Sequence, residues 1–146
     1  MSFGLLIAIQ TRGARYLGAA MVLAALLCAP VAAKPSLRDV PQIDEGLFAV
    51  GLAHEIRKNC PEISARLFKA YGYLRGLYDE AQALGYSKAE IEAHVESDAE
   101  KDRMRARARA TMEERGLTVN EEGYCALGRQ EIAAKSATGS LLREDR

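Results

Sequence analysis

From about residue 41 onward, apolar residues return at three- and four-residue steps, the spacing of one face of an α-helix. The clearest stripe is Ile63, Leu67, Ala70, Tyr71, Leu74, Leu77, Tyr78, Ala81 and Leu84. It predicts a helix from about Glu62 to Leu84 with that stripe in the core and Gly85 as its C-terminal cap. Tyr73, about 200° around the helix from Tyr71, is expected outside the stripe. Gly72 and Gly76, four apart, read as a close helix contact inside the domain. An earlier helix, capped by Asp44 and ending near Asn59, carries Leu47, Phe48, Val50, Leu52 and Ile56 on more than one face, which predicts burial. Pro61 stops it. Ser87-Lys88-Ala89-Glu90 is a capping box opening a third helix that reaches Arg115, with Gly116 beyond it. In that helix Ile91 and Val95 share one face and Met104, Ala108 and Met112 another, so Val95 and Met104 fall on opposite sides. Ser97-Asp98-Ala99-Glu100 is itself a second capping box, so a break, a kink or a change of partner is expected near Ser97. Asn120 can cap a last helix, Glu121 to Leu142, whose inward positions Cys125, Gly128, Ile132, Ser136 and Gly139 are mostly small and permit close approach. No stretch alternates in polarity over enough residues for a strand, and no internal repeat is present. The predicted fold class is all-α, a small bundle of four to five helices.

The first 33 residues follow a different pattern. They hold two bases, Arg12 and Arg15, and no acid. An apolar run from Tyr16 to Leu27 follows and ends in Cys28-Ala29-Pro30-Val31-Ala32-Ala33. A positive start, an apolar middle and a small-residue end are the parts of a cleavable secretory signal, with Val31 and Ala33 at the −3 and −1 positions and the cut after Ala33. The alternative is a retained N-terminal anchor in the inner membrane, since the apolar run reaches the lower edge of a spanning length. Cys28 is not read as a lipoprotein cysteine, because Leu27 stands where a small residue is expected. The domain organisation is therefore a signal peptide over 1–33 and one helical domain over 34–146. That domain begins with an extended leader over 34–42, marked by Pro35 and Pro41. The expected location is periplasmic or secreted.

Composition narrows the class. Hydrophobic residues make up 49% and charged residues 27% of the chain, a folding composition rather than a disordered one. Lys plus Arg and Asp plus Glu stand at 20 each, so the basic surplus of a nucleic-acid binder is missing and no nucleic-acid partner is expected. Of the 3 cysteines, Cys28 would leave with the signal. Cys60 and Cys125 would then be an even pair in an oxidising compartment, which reads as one disulfide.

Motifs that carry chemistry are few. His54-Glu55 begins like a zinc-protease helix, but Lys58 stands where the second imidazole must be. His94 is distant in sequence, so no metal ligands are assigned. His54 is expected to be partly buried and His94 exposed. Ser64, Ser87 and Ser97 sit at predicted helix starts, where capping explains them. No nucleophile elbow, phosphate loop or haem-attachment motif appears. Catalytic residues and cofactors are accordingly expected to be none. The outstanding charge feature is the run Lys101-Asp102-Arg103-Met104-Arg105-Ala106-Arg107-Ala108-Arg109. Arg103 and Arg107 stack at one helical turn, as do Arg105 and Arg109, a spacing that mildly opposes helix formation. One reading is a solvated face balanced by Glu100–Arg103, Asp102–Arg105 and Arg109–Glu113 pairs. The other is contact of Arg103, Arg105, Arg107 and Arg109 with an anionic partner.

Several segments together resemble a family of small exported proteins of unknown function from alphaproteobacteria. They are Pro41-Gln42-Ile43-Asp44-Glu45-Gly46-Leu47-Phe48, Ile56-Arg57-Lys58-Asn59-Cys60-Pro61, Tyr73-Leu74-Arg75, Leu84-Gly85-Tyr86-Ser87, Arg103-Met104-Arg105 and Cys125 through Ala133. The resemblance implies an exported, helical, two-cysteine protein and carries no activity, ligand or catalytic residue. The expected function is non-enzymatic binding of another envelope component, either a protein or an anionic envelope surface, with chaperone-like holding as one form of it. Membrane contact through the N-terminus requires that segment to be retained. The alternative is a small-ligand or metal carrier that uses His54, His94 and the bundle interior.

Overall fold

The computed structural model describes residues 34–145. The expected signal peptide with its cut after Ala33, and with it Arg12, Arg15 and Cys28, lies outside the described residues. A single 3-10 turn, Leu37–Asp39, leads into α1, Pro41–Asn59. After a tight turn come strand β1, Ile63–Ala65, and then α2, Leu67–Ala83. Helices α3, Lys88–Glu96, and α4, Asp98–Glu114, follow. Helix α5, Glu121–Ala134, a short α6, Ala137–Ser140, and strand β2, Leu142–Glu144, complete the chain. The protein is thus mainly helical, with five helices of two turns or more among the described residues and one disulfide.

Helix α1 starts earlier than expected. Pro41 occupies the first helical turn, where its missing N–H costs nothing, and Val40 precedes it without a side-chain cap. Asp44 is therefore not a cap but a buried carboxylate in the first turn. Nor is the segment before α1 a plain extended leader. Leu37 and Val40 are buried, and burial of these two apolar side chains draws the chain into a turn against the domain. The hydroxyl of Tyr86, in the α2–α3 turn, donates to the Pro35 carbonyl at 2.7 Å and holds that segment down.

Two apolar clusters form the interior. The larger joins α1, β1, α4, α5 and the α6–β2 segment through Leu52, Ile56, Ile63, Met112, Leu127, Leu141 and Leu142. Its floor is the Cys60–Cys125 disulfide, which spans 65 residues and brings the two Cα atoms to 5.1 Å. The smaller joins the 3-10 turn, the start of α1, the end of α2 and α3 through Leu37, Val40, Ile43, Ala81, Tyr86 and Ile91. Glycine sets the spacing in both. A methyl group at Gly128 would meet Ile63 Cδ1 at 2.4 Å and Ile56 Cγ2 at 2.7 Å, so α5 lies directly on α1 and β1. A methyl at Gly46 would meet Leu77 Cδ2 at 2.4 Å, fixing the approach of α1 to α2.

Three segments depart from the periodicity reading. Residues predicted to open the second helix pair instead as a strand, Ile63 with Glu144, Ser64 with Arg143 and Ala65 with Leu142, antiparallel. Three residues are too few to show a period of two, and the partner strand lies at the far end of the chain. The last helix stops at Ala134, because Lys135 turns left-handed at φ 50°. Ser136 then starts a new turn by accepting from the Gly139 N–H at 2.9 Å. The third helix does break at Ser97, whose hydroxyl accepts from the Glu100 N–H. Gly85, at φ 88°, and Gly116, at φ 67°, end α2 and α4 in a conformation that suits residues without a Cβ.

Candidate functional site

Helix α2 presents its apolar face in an unexpected way. Of its residues only Ala81 is buried. Phe68 is 97% exposed, Leu67 72% and Tyr71 71%. Tyr71 is therefore not a core residue, and the expected inside and outside tyrosines trade places: Tyr73 packs against the larger cluster. Tyr78 lies against the smaller one, as the stripe requires. The physical reason is angular. The apolar arc of α2 is wider than the surface α1 and α3 can cover, so one flank, with Ala70, Tyr73 and Leu77, is packed and the other is left to solvent. Gly72 and Gly76 have no atom within 4 Å of where a Cβ would stand, so they make no close helix contact.

Leu74 connects this exposed flank to a cleft of about 530 Å³ between α1, α2, α3 and α4. Its apolar walls include Leu47 and Val50 of α1, Leu74 of α2, Val95 of α3 and Met104 of α4. A smaller hollow of about 260 Å³ adjoins it, sharing Leu47, Leu74, His94 and Val95 and reaching the side chains of Leu37, Ile43 and Ile91. Val95 and Met104, on opposite sides of any continuous helix, both line the cleft because the chain breaks between them at Ser97. Both histidines border the cleft, with exposures opposite to the sequence reading. His54 is exposed and lies 3.4 Å from Arg57. His94 is partly buried, and its Nε2 is sealed from solvent with no hydrogen-bond partner among the described residues. A buried nitrogen without a partner is costly, and such atoms are rare outside strained or functional places.

The basic run of α4 divides by direction. Arg103 pairs with buried Asp44 and, at 2.8 Å, with Glu100. Arg107 reaches Asp44 at 3.2 Å and Glu45 at 2.5 Å, with its guanidinium 4.0 Å over the Phe48 ring. These two arginines bolt α4 to the start of α1. Arg105 pairs with Asp102 on its own helix and lies at the edge of the cleft. Of the three balancing pairs named from sequence, Glu100–Arg103 and Asp102–Arg105 form, while Arg109–Glu113 is not among the ion pairs of the described residues. Glu100 does not complete a capping box, because Arg38 and Arg103 take its carboxylate. The hydrogen bond from Arg38 holds the Glu100 carboxyl below the usual carboxylate range, against the opposing effect of burial and with help from Arg103. The Asp44 hydrogen bond, ahead of the opposing burial, raises Arg103 and keeps it charged. Burial, with the Glu55 charge adding to it, pushes the Tyr124 phenol up. Glu45 and Arg38 went unassigned in the sequence, and Asp44 was assigned only as a helix cap. The one available signal was an acid pair, Asp44-Glu45, opposite in sign to a basic run of similar helical pitch.

Across this architecture, the family of unknown function DUF5333 matches residues 35–143. The chain belongs to DUF5333. The match covers Cys60 and Cys125, the exposed flank of α2 and the whole cleft of this DUF5333 member. No curated protein and no solved structure matches the chain. Among the described residues no group of three His, Cys, Asp or Glu side chains can hold a metal ion. No described helix is long and apolar enough to cross a membrane.

Proposed function

We propose that this DUF5333 protein is an exported binding protein, not a catalyst, and that its working surface is the exposed flank of α2 together with the adjoining cleft. The observation that carries the reading is Phe68, 97% exposed in line with Leu67 and Tyr71 on a helix whose other flank is packed. Large apolar side chains grouped on a surface mark sites of contact, because exposing them to water is unfavourable. Export is supported by the leader-like first 33 residues and by the disulfide, a bond that persists in oxidising compartments. The charge pattern supports a structural duty for Arg103 and Arg107, leaving the exposed Arg105 and Arg109 as the members of the run placed to meet an anionic group, with Arg105 at the edge of the cleft.

A photo-crosslinking residue placed at Phe68 in the native cell envelope tests the reading. The expected result is an adduct of defined mass at 68 and at 71, with none at Glu114, an exposed position on α4. Equal labelling at all three positions, or none at 68, overturns it. A chaperone-like version makes a further demand: suppression of client aggregation at near-equimolar ratio, lost in Phe68→Ser. The carrier reading is favoured by a separate observation, the buried and unpartnered Nε2 of His94 in an apolar cleft.

A further inference from the structure

We infer that the α1–α4 cleft binds one long-chain carboxylate, its acyl chain in the apolar hollows and its anionic head at the Lys58, Lys101 and Arg105 edge. The inference deepens the binding reading above and rests on it. Four features point the same way. The first is size: about 530 Å³, continued by about 260 Å³, lies in the range of small-molecule sites. The second is wall chemistry. Leu47, Val50, Leu74, Val95 and Met104 offer only apolar atoms or a thioether, which suits a hydrocarbon chain and gives nothing to a polar metabolite.

The third is charge complementarity at one edge. Lys58, Lys101 and Arg105 border the larger hollow together with Glu55 and Glu100. Three cations against two carboxylates leave this edge a surplus of one positive charge, with Lys101 also meeting Asp98 and Arg105 meeting Asp102 on their own helix. The smaller hollow is bordered instead by Glu92 and Glu96, which sets the direction of the chain: head at the cationic edge, tail toward Leu37, Ile43 and Ile91. The fourth is His94, shared by both hollows, whose sealed Nε2 is a polar atom awaiting a partner inside an otherwise apolar wall.

Gly51 supplies the means of testing. It lies in α1 on the cleft wall, and a Cβ there would meet only Met104 Cβ, at 4.0 Å. Gly51→Leu therefore fills the cleft without striking backbone, and it replaces a poor helix former with a good one, so loss of folding is not expected. The experiment is calorimetric titration of the full-length protein, processed in its own cell, with oleate and with oleyl alcohol below their aggregation limits. The expected result is one oleate per chain and at least about tenfold weaker oleyl alcohol, the loss of one charge-assisted contact set. Lys58→Gln with Arg105→Gln should weaken oleate about tenfold and leave the alcohol unchanged. Gly51→Leu should abolish both while the circular dichroism stays that of wild type. Equal affinity for acid and alcohol overturns the head-group assignment. Undiminished oleate binding by Gly51→Leu overturns the cleft. Binding to anionic phospholipid vesicles without one-to-one oleate binding overturns the proposal in favour of a membrane-surface contact. A crosslink at Phe68 to a protein, with no oleate bound, overturns it in favour of a protein partner and leaves the broader binding reading standing.

Discussion

Helices α2 and α5 read much alike in sequence and end in opposite situations. Helix α2 carries the stronger apolar stripe, yet only Ala81 along it is buried. Helix α5 carries a weaker stripe broken by glycines, and Gly123, Tyr124, Cys125, Leu127, Gly128 and Glu131 are all buried. The difference lies in fit. Small residues on α5 let it settle on α1 at a distance no larger side chain would allow, and the disulfide fixes it there. The bulky arc of α2 outruns its partners, and half of it stays in water. An amphipathic stripe therefore states that a face is apolar, and the neighbours decide whether that face becomes core or contact surface.

The comparison can be broken most severely at the disulfide. Cys60→Ser with Cys125→Ser should cost about 4 kcal/mol by the chain-entropy account of a 65-residue closure, read as a shift in urea midpoint. Asp44→Asn leaves Arg103 and Arg107 facing a neutral group. Because both guanidinium groups are about a third exposed, the expected loss is near 2 kcal/mol, well below that of a sealed pair. Gly→Ala gives the sharpest contrast between the two helices. Gly128→Ala on α5 should destabilise by about 1–3 kcal/mol through overpacking against Ile56 and Ile63. Gly76→Ala on α2, with open space around it, should stabilise by roughly 1 kcal/mol through helix propensity.

Acid should act through Glu100. Its pKa is lower in the folded chain than in the unfolded one, so its contribution is complete above about pH 4.3, the ordinary glutamate value. That contribution is lost as pH falls through the lowered folded value. Urea midpoints between neutral and strongly acidic pH should show this, and Glu100→Gln should flatten the acid side of the profile. The smallest expected change is also the most telling. Phe68→Ser should move stability by no more than about 0.5 kcal/mol, since the ring touches little, while removing whatever contact α2 makes.

Much of the fold was legible because its determinants are local. The Ser87–Glu90 capping box is present in full, and the faces of Val95 and Met104 required the break at Ser97. Gly85 ends α2 as its spacing suggested. The Cys60–Cys125 bond was expected from the even pair that export would leave, and the structure forms it. What escaped was long-range. Pairing of Ile63–Ala65 with Leu142–Glu144 is set by where the C-terminus returns, which no local period encodes. The exposures of His54 and His94 depend on which helix covers which flank. In the candidate site the basic run was visible, but its division into Arg103 and Arg107 turned inward and Arg105 at the cleft depended on Asp44, 59 residues from Arg103. The cleft itself had no sequence signature, because a hollow is made by the side chains that do not meet.

The disulfide has one more consequence, for how the chain is taken apart. Cys60 and Cys125 enclose β1, α2, α3 and α4 within a covalent ring, and α2 lies in that ring with its outer flank in solvent. A protease that clips anywhere inside the ring opens it without releasing either piece. Nicked molecules would run as a single species on a gel until a reductant is added, and only then separate into two fragments. Breakdown of the folded protein is thus a two-key process, one cut and one reduction, and in an oxidising compartment the second key is the scarce one.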